Sequence, residues 1–283
     1  MIGSQIKTIL EILQREEREL KFIKIYGERN TGTNYISQLI KENLQCQLIP
    51  GVAAEIAKES VLRINKYIKK KGLKKLEASI FQELLIDEIF AKNLAVSLGW
   101  KHCRPPLDLI KNHQFTPQTL FITITKNPYS WLLSLYKRPY HNFFQAQREF
   151  REFLSMPWKT VKREYSQAYF DNPIQLWNEK QRAYIELAQE INICINLKYE
   201  QVLRNELGTI KALSYLFPFV HQNGIVSIAK STKNDGRDKQ FFEEYYLKSQ
   251  WRKEIKIEEI EYINQHLDFE LLKYFNYKKI ETD

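Results

Sequence analysis

The chain has 283 residues, 43 of them Lys or Arg and 34 Asp or Glu, for a formal net charge of +9. Ordinary apolar and charged contents of 43% and 27% exclude an intrinsically disordered chain. Three well-separated cysteines, Cys46, Cys103 and Cys194, exclude a disulfide framework and a cysteine-based zinc site. Glycine is scarce, nine against roughly 20 at average usage. No uninterrupted apolar run reaches the length that spans a bilayer, and residues 1–20 read as an amphipathic helix rather than a signal peptide. The expectation is a cytoplasmic protein with an anionic partner, its oligomeric state unreadable.

Along the chain, β-rich runs at 21–26, 94–100, 120–125, 193–198 and 225–229 alternate with helical patterns at 34–44, 130–135, 173–191 and 201–216. This predicts an α/β fold in one domain, 1–283, with a mostly parallel five-stranded sheet covered on both faces. Residues 55–93 read as a helical insertion between the first two strands, and 257–275 as a final amphipathic helix. The lysines at 66, 69, 70, 71, 74 and 75 read as a solvated helix face, or as an attractor for an acidic glycan. Trp131, Trp158 and Trp177 fall in helical patterns that suit the core.

After the first run comes Gly27-Glu28-Arg29-Asn30-Thr31-Gly32-Thr33-Asn34-Tyr35. Two of the nine glycines bend a strand-to-helix turn, the geometry that aims backbone N–H groups and a helix N-terminus at an anion. The bland reading is an ordinary turn. Thr33 and Asn34 stand where a Walker A loop has Lys and Ser/Thr, so the parts of an ATP or GTP hydrolase are missing.

This loop resembles the 5′-phosphosulfate loop of the sulfotransferases that use 3′-phosphoadenosine 5′-phosphosulfate (PAPS). Thr31-Gly32-Thr33 matches its S-G-T core. Asn30 takes the place of the family's basic residue, and Arg29, one position earlier, is the candidate replacement. The resemblance implies a three-layer P-loop-type fold and assigns Gly27, Arg29, Asn30, Thr31, Gly32, Thr33 and Asn34 to the donor. It extends to Lys126-Asn127-Pro128 with Ser134 and Tyr136, similar to the family's R-[ND]-P-x5-S-x-[YF]. By it, Lys126 and Ser134 hold the 3′-phosphate. Lys198-Tyr199-Glu200 is similar to [RK]-Y-E, which brings Tyr199 near the adenine. The polar loop at 231–239 falls where the family covers the nucleotide, and Gly236, Arg237 and Lys239 are the residues that fit.

A base for the acceptor hydroxyl and a cation for the leaving oxygen are also needed. His102 and Lys101, in a segment resembling the family's K-T-H-x-P, suit those roles. On a strand, adjacent residues face opposite ways, which leaves open whether both reach the site. His141 is the rival base. His113, His221 and His266 have no supporting context.

The expectation is therefore a PAPS-dependent sulfotransferase that releases 3′-phosphoadenosine 5′-phosphate (PAP). It needs no metal and has no nucleic-acid partner, and its hydroxyl acceptor is a glycan before a small molecule. A P-loop kinase or phosphotransferase, and a non-catalytic basic module for anionic glycan or nucleic acid, are the alternatives.

Overall fold

The computed structural model describes residues 2–221, 224–232 and 235–282. Its centre is a four-stranded parallel sheet of β1 (Phe22–Gly27), β2 (Gln47–Leu48), β3 (Thr119–Thr125) and β6 (Cys194–Lys198), in the order β2-β1-β3-β6. A separate antiparallel pair joins β4 (Trp158–Lys159) to β5 (Tyr169–Phe170). Every residue of β3 is buried, as helices on both faces require. On one face, Ile23, Ile25, Leu120 and Ile122 pack against the helices Ile2–Arg15 and Thr33–Asn43. On the other, Tyr26 and Phe121 meet Tyr184 and Leu187 of Pro173–Glu190 and Phe90 of the insertion.

Two of the five expected strands are absent, so the sheet has four strands rather than five. Residues 94–100 form a short helix, Leu94–Ser97, and then a turn through Leu98 and Gly99 at φ 51° and 88°. Two forces hold that turn. Ser97 Oγ donates to Asn93 O at 2.9 Å. Lys24 Nζ, fully buried, donates to the carbonyls of Pro50 (3.0 Å), Ser97 (2.5 Å) and Gly99 (2.7 Å). The lysine thus ties both ends of the insertion to β1, and burial lowers its pKa to about 7. Residues 225–229 run outside any ladder. Asn43 takes the place of a neighbouring strand, accepting from Val226 N at 2.7 Å and donating to Val226 O at 2.9 Å. In their stead β2, only two residues long, completes the edge.

The insertion folds as helices Ala53–Ile56, Lys58–Lys71 and Lys75–Lys92. No residue of Lys58–Lys71 is buried, and Lys66, Lys69, Lys70, Lys71 and Lys74 are exposed as expected, whereas the Lys75 side chain lies outside what is described. The final helix is divided into Ile257–His266 and Phe269–Tyr274, because Asp268 turns to cap Glu270 N.

The register matters most for function. Gly27 pairs with Ile124, and Thr125 with Lys198. The strands β1, β3 and β6 therefore end level, and the segments 28–32, 126–127 and 199–200 leave the sheet side by side. Open α/β sheets place ligands at this carboxyl edge.

Candidate functional site

The loop after β1 is built for close approach. A Cβ on Gly27 would lie 2.8 Å from both Thr31 Oγ1 and Thr33 Cγ2, so no side chain fits. Thr31 Oγ1 donates to Glu28 O at 2.6 Å, closing the loop with its own hydroxyl rather than presenting it outward. Gly32 sits at φ 88°, and a Cβ there would overlap the Tyr199 ring. Gly32 caps the helix Thr33–Asn43 without any side-chain bond. The first-turn N–H groups of Thr33, Asn34 and Tyr35 thus lack intrahelical acceptors and share the positive end of the helix. Gly32→Ala is expected to lose about 1–3 kcal/mol from left-handed strain, more as Tyr199 is displaced. Denaturant titration reads this, and an unchanged midpoint would contradict it.

Arg29 does not face the same way. It is 2% exposed, with Nη1 3.1 Å from Glu28 and Nη2 3.1 Å from Glu164, a residue of the turn Lys162–Glu164. Lys180 completes a buried quartet, 3.2 Å from Glu28 and 3.1 Å from Glu164. Lys180 Nζ also donates to His102 O at 2.6 Å. Two cations matched by two carboxylates meet the requirement that buried charge be paired. The charge expected to bind an anion is spent within the fold. Sequence reading missed Glu28, Glu164 and Lys180. A signal for Lys180 existed, because it sits at i+3 from Trp177 and i−4 from Tyr184 on the apolar face of its helix.

Lys126 and Ser134 do meet. Lys126 Nζ lies 3.1 Å from Ser134 Oγ and 3.4 Å from Asn30 O, with its ammonium 3.7 Å from the Tyr246 ring centroid and 5.4 Å from that of Tyr199. Asn127 caps the helix Pro128–Lys137, accepting from Tyr129 N and Ser130 N. Glu200, next to Tyr199, in turn accepts from Asn127 N at 2.9 Å, so the second and third motifs brace each other. Asn30, at φ 67°, donates to Ser134 O at 3.2 Å and joins the first motif to the second. Tyr246 is a further residue that no sequence motif revealed.

Around this junction the surface opens three ways. A small cavity of about 70 Å³ lies between Gly32, Lys126, Tyr199 and Tyr246. A depression of about 470 Å³ beside it is lined by Ser134, Lys137, Arg138 and Arg237. A cleft of about 620 Å³ on the other side holds Lys101, His102, Trp100 and Tyr140. Asn30 borders all three.

The covering loop is engaged only in part. Gly236 is at φ 75° with open space around it, and the Arg237 guanidinium lies 4.5 Å over the Phe241 ring. Lys239 reaches Glu206 at 2.6 Å and Ser227 Oγ at 3.2 Å while lining the small cavity. Lys233 and Asn234 of the same loop lie outside the described residues.

Lys101 and His102 both line the cleft, because they occupy a turn and not a strand. Lys101 Nζ donates to Asn34 Oδ1, and burial lowers its pKa to about 8, with Lys41 adding to the effect. His102 Nδ1 lies 2.5 Å from Gly27 O. A carbonyl only accepts, so Nδ1 carries the proton and Nε2 keeps a lone pair, for which no described residue is a partner. His141 is different. Its Nε2 donates to Lys159 O at 2.7 Å, and its Nδ1 lies 3.3 Å from Arg29 Nη2, so both nitrogens are engaged.

Both histidines are held neutral. For His102 the causes are burial, then Lys101 and Arg29, which keep its pKa well below 6.5. For His141 they are burial, then Arg29. The unfolded chain takes up protons on these histidines as pH falls through about 6.5, and the native state does not. Stability is therefore expected to fall from pH 7 to pH 5. Melting curves should show this, with a shallower slope in His141→Gln, and equal slopes would contradict it.

Among the described residues, no group of three or more His, Cys, Asp or Glu is placed to hold a metal ion. No helix among them is long and apolar enough to cross a membrane. Compared with known protein families and with curated proteins, the chain gave no match.

Proposed function

We propose that the chain transfers the sulfuryl group of PAPS to an acceptor hydroxyl, on a P-loop-type fold. The observation that carries this reading is the meeting of Lys126 and Ser134 at 3.1 Å, beside the uncapped helix that starts after Gly32. Two phosphate-binding arrangements then stand side by side, as a nucleotide with separate 3′ and 5′ groups requires. Lys126 supplies a point charge and Ser134 a hydroxyl for the 3′-phosphate. The N–H groups of the first turn of Thr33–Asn43 take the 5′ anion. Tyr199 and Tyr246 offer aromatic faces near the adenine.

On the cleft side, Lys101 stands 2 positions after Gly99 in a turn that β1 holds through Gly27 N to Lys101 O, at 2.8 Å. It steadies charge on the leaving oxygen, while Nε2 of His102 takes the acceptor proton. Sulfuryl transfer, like phosphoryl transfer, needs little covalent help, so alignment and cations do most of the work.

Charge-assisted hydrogen bonds to a phosphate contribute about 1.5–3 kcal/mol each. Lys126→Ala and Ser134→Ala should therefore weaken PAP binding roughly tenfold to a hundredfold. The affinity for AMP, which lacks the 3′-phosphate, should stay the same. Calorimetry of both ligands with each variant is the check, and equal losses for AMP and PAP would contradict the assignment.

A further inference from the structure

The net charge of +9 suggests an acidic acceptor, yet the cleft that holds His102 is not basic. Among the described residues its lining carries four cations, Arg29, Lys41, Lys101 and Arg163. Three already have carboxylate partners. Arg29 is paired with Glu28 and Glu164. Arg163 is paired with Glu83 and, at 2.6 Å, with Asp87. Lys41 lies 3.8 Å from Glu55. Glu55 and Glu83 themselves line the cleft. Lys101, bonded to Asn34, has no carboxylate within ion-pair distance among the described residues, and the reaction needs its charge. The lysines behind the net charge, such as Lys66, Lys69 and Lys70, stand on the exposed insertion helix and do not line this cleft.

A different surface is free. Tyr140 is 44% exposed in the cleft wall and adopts φ 53°, a left-handed conformation that costs a bulky residue energy. Its hydroxyl donates to Asn30 Oδ1 at 3.2 Å, and so fixes the ring beside the donor loop. Trp100 is spoken for, with Arg29 and Arg163 4.4 Å and 4.2 Å from its ring centroid. Tyr140 also has the Arg29 guanidinium 5.5 Å from its ring centroid, yet at 44% exposure it keeps an aromatic surface in the cleft wall for a ligand.

We infer that the acceptor is an uncharged hydroxylated ring that stacks on Tyr140, and that Glu55 and Glu83, by holding Lys41 and Arg163, leave an acidic acceptor no cation to pair with. This rests on the sulfotransferase reading and names its acceptor class. A carboxylate or sulfate on the acceptor would have to displace Glu55 or Glu83 from Lys41 or Arg163 to gain an ion pair, which sets its affinity below that of an uncharged ring. An uncharged ring loses nothing there.

The test measures PAP release from PAPS with three probes: methyl β-glucoside, 2-naphthol and a uronate disaccharide. PAP binding is first titrated by itself, and its failure would refute the sulfotransferase reading and this inference with it. The expected result is release stimulated by at least one uncharged probe, sugar or phenol, and at least tenfold less by the uronate. Tyr140→Ala should raise KM for the effective probe about tenfold with a smaller change in kcat. Glu55→Gln, whose pairing is at the surface, and the double variant E55Q/E83Q should each raise the uronate rate. A uronate that outperforms both uncharged probes, no response to either uncharged probe, or a uronate rate indifferent to both acid-to-amide variants would overturn the inference.

Discussion

Replacing His102 by alanine is expected to lower acceptor-dependent turnover by roughly 10²–10⁴, the usual contribution of a general base. The geometry singles out this residue. Gly27 O fixes the protonated nitrogen of His102, and the free nitrogen belongs to a side chain that lines the cleft. His141 has no free nitrogen, and its replacement is expected to act on stability first. PAP affinity should change little in His102→Ala, because Lys126 and Ser134, which take the 3′-phosphate in this reading, do not line the cleft that holds His102. The pH profile adds a second reading. With the His102 pKa held well below 6.5, the rate should stay level through pH 6.5 on the acid side. It should fall on the alkaline side near pH 8, as Lys101 loses its proton. Lys101→Arg should move the alkaline limb upward. Turnover of His102→Ala within a factor of three of the parent would contradict the assignment.

Lys180→Met is expected to destabilise the chain by about 3–5 kcal/mol, the range for a buried ion pair that loses one partner. At roughly 2–4 °C per kcal/mol in a chain of this size, the melting temperature should drop by about 6–20 °C. Lys180 is 1% exposed and is the common partner of Glu28 in the loop after β1, Glu164 of the turn Lys162–Glu164, and the backbone of His102. With it gone, two buried carboxylates share Arg29 alone. Burial would raise the pKa of Glu164, but Lys180 and Arg29 hold it down to about 2. Its native carboxylate therefore adds stability that is present above the unfolded carboxyl range and is lost as pH falls from about 4.5 toward 2. The acid-unfolding midpoint should accordingly move upward in Lys180→Met. A melting temperature within 2 °C of the parent would show that the quartet does not hold the site together.

These two sites show where sequence reading reaches and where it stops. The strands β1, β3 and β6 were legible because each is a short run of β-forming residues, β1 and β3 at the centre of the sheet and β6 at its edge. The loop at 27–33 was legible because two of nine glycines fall within it, and the structure gives each a steric reason. Lys126 and Ser134 could be paired from their spacing, a strand end and a point two turns into the next helix. Residues 94–100 read as a strand because apolar content does not separate a strand from a short buried helix. What bends them is Lys24, some 70 residues earlier in the chain. Residues 225–229 have strand-like composition, but Asn43 bonds both backbone groups of Val226 and Lys239 N donates to Ala229 O, with no strand ladder beside them among the described residues. Arg29 reads as a ligand residue because it stands one position before the place of the resembled family's basic residue, which Asn30 takes here. Its true partner Glu164 is 135 positions away, and no local pattern reports such a pairing. Net charge is likewise no guide to the charge of the cleft. Its sign is a property of the whole surface, whereas the cleft balances its own charges pair by pair.

The most direct measurement of the central claim is a thermal-shift comparison of PAP, AMP and ATP on the unmodified chain. A ligand that binds only the native state raises its stability by about 2.7 kcal/mol at a hundredfold excess over Kd. PAP should therefore raise the melting temperature by several degrees at concentrations where AMP and ATP do little. The shift should fall to about half or less in Ser134→Ala while its unliganded melting temperature stays close to the parent's. Equal shifts for all three nucleotides, or a larger shift with ATP and Mg²⁺ than with PAP, would contradict a site built for a separate 3′-phosphate.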